Sequence, residues 1–199
     1  MVIVAHLAVN VIPAVRYMNS PLLKSDVKYT WEDYLKWDDD VRYELLDGVP
    51  YALATPLYSH ENIVMELSGQ LYIFLKGKPC KVYASSGVKL DDLTVFRPDV
   101  FLICDKSKQG DRLYNGAPEL VIEVLSPTSL QNDKIYKYQK YRDNGVKEYW
   151  IVYPEGKIID VFLLEKGVYI HSVYGENDTL HSKALEGFSI KLSDVFAED

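Results

Sequence analysis

Residues 119–129 read ELVIEVLSPTS. The centre of this stretch, Leu120–Leu125, is an apolar run suited to a buried strand, yet Glu123 stands in its middle. A carboxylate taken out of water is costly unless it is paired or bound to a metal. Strand alternation sends Glu119, Val121, Glu123 and Leu125 to one face and Leu120, Ile122, Val124 and Ser126 to the other. Two readings stay open at this point. Glu123 either lies on a solvated face or caps a core arginine, or it belongs to a central strand covered on both sides.

Working outward, Pro127 ends this strand and a helix is expected from about Leu130 to Asp143, closed by Asn144-Gly145. KEYWIVY (147–153) reads as a further strand, and KIIDVFLLEKGVYIHSVY (157–174) as a hairpin turning near Lys166-Gly167. The tail LSDVFAED reads as a last helical turn. Upstream, KVYASSGVKL (81–90) and TVFRPDVFLIC (94–104) are strand-like. Before them a helix runs from about Ser59 to Lys76, with Ile63, Leu67, Leu71 and Phe74 at helical spacing and Gly77 and Pro79 as stops. YELLDGVPYAL is a hairpin around Asp47-Gly48. YTWEDYLKW is a short helix with Thr30 as N-cap and Glu32 and Asp33 in the first turn, where the helix dipole favours acids. The order helix, strand, strand, strand, helix, strand gives an α/β chain. Its sheet is mixed, because the links between the three neighbouring strands are too short for helical crossovers.

The chain has 199 residues, 48% hydrophobic and 26% charged, which suits one compact domain over residues 29–199. Residues 1–28 form an N-terminal extension. Its first seventeen residues are apolar but broken by Asn10 and Pro13, too short for a membrane span and without the basic start of a signal peptide. Cys80 and Cys104 form no CxxC pair and are expected as reduced thiols of a cytoplasmic protein. A net charge of −7 argues against a generic nucleic-acid coater, though not against an enzyme that meets a phosphate backbone with the help of metal ions.

Two further polar groups need explaining. Asp99 follows Pro98, which removes one ladder donor and makes the strand edge-like or bulged there, a setting that often re-aims a side chain. By itself Asp99 is better read as a turn residue; with Glu123 on the next strand, the two carboxylates can converge on one hard divalent cation. In NDKIYKYQKYRDN, Asp133, Lys137 and Tyr141 are spaced i, i+4, i+8 and share a stripe. Leu130, Ile135 and Tyr138 are expected to pack on the sheet, leaving Asp133 and Lys137 at the border. There they form either a surface salt bridge of small worth or a lysine reaching back over the carboxylates.

Together, Pro98-Asp99, Glu123 on the next strand and this order of elements resemble the PD-(D/E)xK nuclease superfamily. RPDVFLI, ELVIEVLSPTS, DKIYKYQKY and GVKEYWIVYP resemble more narrowly the Uma-two family of restriction endonucleases, with YELLDG (Glu44) and His60 matching two further family positions, over roughly residues 29–170. The resemblance implies a restriction-endonuclease-like mixed β-sheet core (αβββαβ) flanked by helices, with added N- and C-terminal hairpins. It also implies Mg²⁺-dependent (or Mn²⁺-dependent) hydrolysis of phosphodiester bonds in DNA. The wider superfamily places a lysine two residues after the glutamate, where this chain has Leu125; the Uma-two pattern moves it to the next helix, as Lys137, with Lys134 competing. Tyr153 stands where the family usually has an Asp before the proline.

On this resemblance Asp99, Glu123 and the Val124 carbonyl hold the metal. Lys137 positions water or stabilises charge on the phosphate. Asp133 and Tyr141 orient Lys137, Glu44 is an auxiliary carboxylate, and His60 either supports the site or is a packed helix histidine. Two rivals stand beside this reading: an inactive, nuclease-derived interaction module, and a metal-dependent hydrolase of small phosphate esters. No base-reading module is visible. A homodimer is expected by analogy, with the tyrosine-rich hairpin at Val161–Tyr174 as candidate interface.

Overall fold

The computed structural model describes residues 26–38, 40–126 and 131–197, and no side chain over 131–134. Most of the expected N-terminal extension, Leu130, and the Asp133 and Lys134 side chains therefore lie outside the described residues.

The first helix, α1 (Trp31–Tyr34), is a single turn. Thr30 Oγ1 accepts the Asp33 N–H (3.2 Å) while the Asp33 carboxylate accepts the Thr30 N–H (3.0 Å), a reciprocal cap. The expected continuation to Trp37 gives way to ring packing, with Trp37 edge-on to Tyr29, Tyr34 and Tyr43. Strands β1 (Tyr43–Leu46) and β2 (Val49–Ala52) form the expected hairpin. Both turn residues have positive φ, 50° at Asp47 and 78° at Gly48, the backbone twist a two-residue hairpin turn needs. Helix α2 (Tyr58–Leu75) buries Ile63, Val64, Leu67, Leu71 and Leu75, with Phe74 packed at the margin.

The next two segments depart from expectation in an informative way. KVYASSGVKL divides into β3 (Lys81–Ala84) and β4 (Gly87–Asp91), and TVFRPDVFLIC into β5 (Thr94–Phe96) and β6 (Val100–Ile103). They make one long antiparallel hairpin with a corner in both arms: β3 pairs with β6 in one sheet, and β4 with β5 in another. The corner falls where regular pairing is chemically obstructed. Pro98 has no N–H to donate, and Ser85 has a φ of 52°. The Ser85 N–H bridges the arms there, donating to the carbonyls of Pro98 (3.1 Å) and Asp99 (3.2 Å). A short strand that went unforeseen, β7 (Leu113–Asn115), pairs parallel with β4.

Strand β8 (Leu120–Val124) lies between β6, antiparallel, and β9 (Glu148–Tyr153), parallel, with α3 (Gln131–Asn144) as the crossover. Strands β10 (Ile158–Glu165) and β11 (Val168–Gly175) form the expected hairpin, turning at Lys166-Gly167. A small pair, β12 (Thr179–His181) and β13 (Ser189–Lys191), leads into α4 (Leu192–Val195). The main sheet runs β11-β10-β9-β8-β6-β3 and the second β2-β1-β5-β4-β7. The expected mixed α/β architecture is present.

Strand β8 is covered on both faces. Leu120, Ile122 and Val124 pack with α2 residues such as Leu67 and Leu71, whereas Val121 packs with Phe101, Tyr141 and Tyr149 on the α3 side. The solvated-face reading of Glu123 is thereby set aside, since Glu123 is buried in the α3-side layer. Helix α3 is rotated from its expected setting: Ile135 is 57% exposed, while Tyr138 is half-buried and Tyr141 fully buried. The helix turns Lys137 and Tyr141 inward, where they meet the carboxylates of Glu44 and Glu123.

A second correction concerns the cysteines, which are joined as a Cys80–Cys104 disulfide, so the expectation of reduced thiols fails. The β3–β6 register pairs Lys81 with Ile103, which sets the flanking cysteines opposite each other with Cα atoms 4.0 Å apart. Spacing along the chain does not reveal that register. Among the described residues no helix is long and apolar enough to cross a membrane.

Candidate active site

Groups from β1, α3 and the end of β5 meet Glu123 on the α3 side of β8. Glu123 projects from β8 and Glu44 from β1 of the second sheet. Lys137 reaches between them from α3, its Nζ donating to Glu44 Oε1 (3.0 Å) and Glu123 Oε1 (3.1 Å). The Tyr141 hydroxyl, one turn further along α3, also donates to Glu123 Oε1 (2.8 Å). The Arg97 N–H, freed from the ladder at the strand corner, donates to Glu44 Oε1 (2.7 Å). The Phe96 ring lies beside Lys137, its centroid 5.4 Å from Nζ.

Asp99 sits at that corner, where regular pairing of its strand resumes. Its Oδ2 accepts the Val124 N–H (2.7 Å), which ties it to the residue after Glu123. His60, in the first turn of α2, brings Nε2 to 3.2 Å from the same oxygen. His60 and the Val124 N–H thus share one Asp99 oxygen. His60 Nδ1 is buried, 3.4 Å from Glu61 Oε1 and without a hydrogen bond.

The electrostatics follow from two buried carboxylates paired with one buried lysine, with Asp99 close enough to act on Glu123. Burial is the main force pushing the Glu123 carboxyl up, to about 7; Lys137 pulls it down, while Asp99 and Glu44 push it further up. Burial works to lower the Lys137 ammonium, but Glu123 and Glu44 overcome it and leave its pKa raised. Lys137 is thus a permanent cation at any physiological pH. Burial, and then the Glu123 charge, raise the Tyr141 phenol well above its usual value, so it acts as a hydrogen-bond donor. The hydrogen bond to Asp99 raises His60 against the opposing effect of burial.

The site therefore brings together Asp99, Glu123, Lys137, Glu44, Tyr141 and His60, all singled out from the sequence. The surface-salt-bridge reading of Lys137 fails because its side chain is only 17% exposed. Leu125 packs into the α3-side apolar cluster, and Tyr153 packs beside it. Tyr153 is a phenol raised to about 12 by burial and by its bond to Asp160. The Arg97 backbone donor was missed, because a main-chain N–H carries no residue-type signal. Glu148 was missed as well. Fully buried at the start of β9, it accepts from Trp150 Nε1 (2.7 Å), Ser182 Oγ (2.9 Å) and the N–H groups of Lys183 (2.8 Å) and Ala184 (2.6 Å). It anchors the loop after β12 and stands apart from the site.

Among the described residues, no three His, Cys, Asp or Glu side chains form a ready metal cage. The donor set does fit a hard divalent ion that keeps waters and takes only one or two carboxylates from the protein. The excess of buried negative charge over Lys137 is the feature such an ion would relieve.

The fold is similar to that in the "Crystal structure of a putative nuclease belonging to DUF820 from Anabaena variabilis", with a TM-score of 0.73 at 16% identity, covering 84% of this chain and 97% of that one. In sequence, the chain is 27% identical over 176 residues to "Uncharacterized protein slr1290" of Synechocystis sp., covering 85% of this chain and 92% of the relative. The Uma2 family, described as "Putative restriction endonuclease", matches residues 31–193, a span that holds every residue of the site. With most of its length inside that match, the chain belongs to the Uma2 family.

Proposed function

We propose that the protein is a Mg²⁺-dependent DNA endonuclease that hydrolyses phosphodiester bonds. The observation that carries this reading is a permanently charged lysine buried between two carboxylates, with a third carboxylate, Asp99, bonded to the strand that carries Glu123. A cation and anions placed this way are expensive to bury for stability alone, and strongly shifted groups collect at reactive sites. Asp99, Glu123 and the Val124 carbonyl would hold Mg²⁺, or Mn²⁺ in its place. When bound, the ion supplies Lewis-acid polarisation of the phosphoryl oxygen and makes a bound water more acidic.

The remaining work belongs to the chain. Lys137, held protonated, cannot act as a base; it stabilises negative charge developing on the phosphate and orients the attacking water. Tyr141 and Glu44 fix the position of Lys137 and Glu123, and the Arg97 N–H fixes Glu44. His60 holds Asp99 in the orientation set by the Val124 N–H. With a net charge of −7, bound cations also ease the approach of a polyanion.

The reading predicts that purified protein cleaves duplex or branched DNA with Mg²⁺ or Mn²⁺, and that Lys137→Ala abolishes cleavage while the fold survives. A metal-loaded protein that cuts no DNA refutes the DNA reading; turnover of small phosphate esters alone would point to the other hydrolase. Calorimetry addresses the interaction module: a Mg²⁺ binding heat that disappears in Glu123→Ala is inconsistent with a scaffold that has no use for the ion.

A further inference from the structure

Helix α2 shows two faces. Its inner face packs on β3, β6, β8 and α4. Its outer face carries Tyr58, Met65, Tyr72 and Ile73, which are 90%, 72%, 64% and 74% exposed. Tyr58, Met65 and Tyr72 recur every seven residues and so share one seam, the spacing of a helix that meets another helix. Large apolar side chains grouped in this way on a surface mark an interaction site.

The seam has a second property that says what covers it. At its centre lies Gly69, where an added Cβ would meet nothing within 4 Å, leaving the backbone open to close approach. Counting outward from the midpoint between Ser68 and Gly69, Met65 is matched by Tyr72, and Glu61 is matched by Lys76. Glu61 and Lys76 are both exposed. A surface whose two halves are complementary about its midpoint suits an isologous two-fold contact, in which residue i meets j and j meets i.

We infer that α2 is the homodimer interface of this protein, pairing antiparallel with α2 of a second copy. Met65 of each chain packs on Tyr72 and Ile73 of the other across the Gly69 crossing, and Glu61 meets Lys76 at both ends. On the hairpin β10–β11, Tyr169 is buried and donates its hydroxyl to the Val146 carbonyl (3.0 Å), while Val168, Ile170 and Val173 of the edge strand are exposed, so this hairpin is the rival interface. The α2 seam also ends beside the site, since Glu61 lies 3.4 Å from His60 Nδ1.

The test is sedimentation velocity of the full chain over a concentration series, with far-UV circular dichroism to confirm folding. The wild type is expected to dimerise, and Met65→Asp at this exposed position to weaken the dimer by about tenfold or more, through a desolvated charge in an apolar seam. Glu61→Lys sets like charges together at both ends and is expected to weaken the dimer severalfold. The double variant Glu61→Lys/Lys76→Glu restores it, because the pairs re-form with signs reversed. A full chain that stays monomeric at about 100 μM, far above the micromolar range of modest interfaces, overturns the inference, and so would coverage of the seam by residues 1–25 that leaves the chain monomeric. A dimer indifferent to Met65→Asp overturns it too, as does a double variant no tighter than the single one.

Discussion

Replacing Lys137 by Met keeps most of the side-chain volume and removes the charge, which isolates what the buried cation does. The lysine makes two charge-assisted bonds, to Glu44 at 3.0 Å and Glu123 at 3.1 Å, in a nearly closed site. Stranding one partner of a buried ion pair costs about 3–5 kcal/mol when the orphan stays charged. Glu123 has an escape, because its pKa is already raised from 4.5 to about 7, and losing Lys137 raises it further. The sign of the pH dependence follows. The folded state keeps the Glu123 proton to higher pH than the unfolded chain, so stability falls as pH rises from about 4.5 through the folded pKa. Without Lys137 that fall continues to higher pH, at up to about 1.4 kcal/mol per pH unit. Near pH 5.5 Glu123 is neutral in both proteins, and the loss is on the order of 1.5–3 kcal/mol, from the Glu44 bond alone. Near pH 8.5 it grows to about 3–5 kcal/mol. Urea unfolding followed by circular dichroism at both pH values measures the difference from the midpoints and slopes. Equal losses at the two pH values, or a loss below about 1 kcal/mol at the higher one, as for an exposed pair, would refute the buried-cation account.

Three further outcomes are expected. Glu148→Leu leaves the Trp150, Lys183 and Ala184 donors without their buried acceptor; it should destabilise by roughly 3–5 kcal/mol, measured by thermal unfolding. Gly48→Ala forces a left-handed backbone on a residue whose Cβ would lie 2.7 Å from the Lys28 Cβ; a loss of about 1–3 kcal/mol is expected, and a neutral result by denaturant titration would contradict the hairpin geometry. Thiol titration of the unreduced protein in denaturant should find no free cysteine, since Cys80 and Cys104 are paired; reduction should lower stability by about 2–4 kcal/mol.

Part of the site was legible in the chain because its residues lie at local anomalies, whereas Glu44 and His60 were marked only by the resemblance to the family. Glu123 interrupts an apolar strand, Pro98 blocks a ladder just before Asp99, and Asp47-Gly48 dictates the hairpin that carries Glu44. The i, i+4 spacing of Lys137 and Tyr141 put them on one stripe, but helical periodicity leaves open which stripe faces inward. The apolar pattern favoured Ile135, whereas the stripe that turns inward meets carboxylates from β1 and β8, which are remote in sequence. The corner at Ser85 and Pro98 divides two apparent strands between two sheets, and that division lets Glu44 and Asp99 approach Glu123 from different layers. Cross-strand register likewise made a pair of Cys80 and Cys104. What the sequence determined by itself were the elements and their polar anomalies, because propensity, turn chemistry and alternation act over a few neighbouring residues. Which charges meet, which helix face turns inward and which cysteines pair were decided only by the tertiary structure, because those outcomes depend on burial and register between segments far apart in the chain.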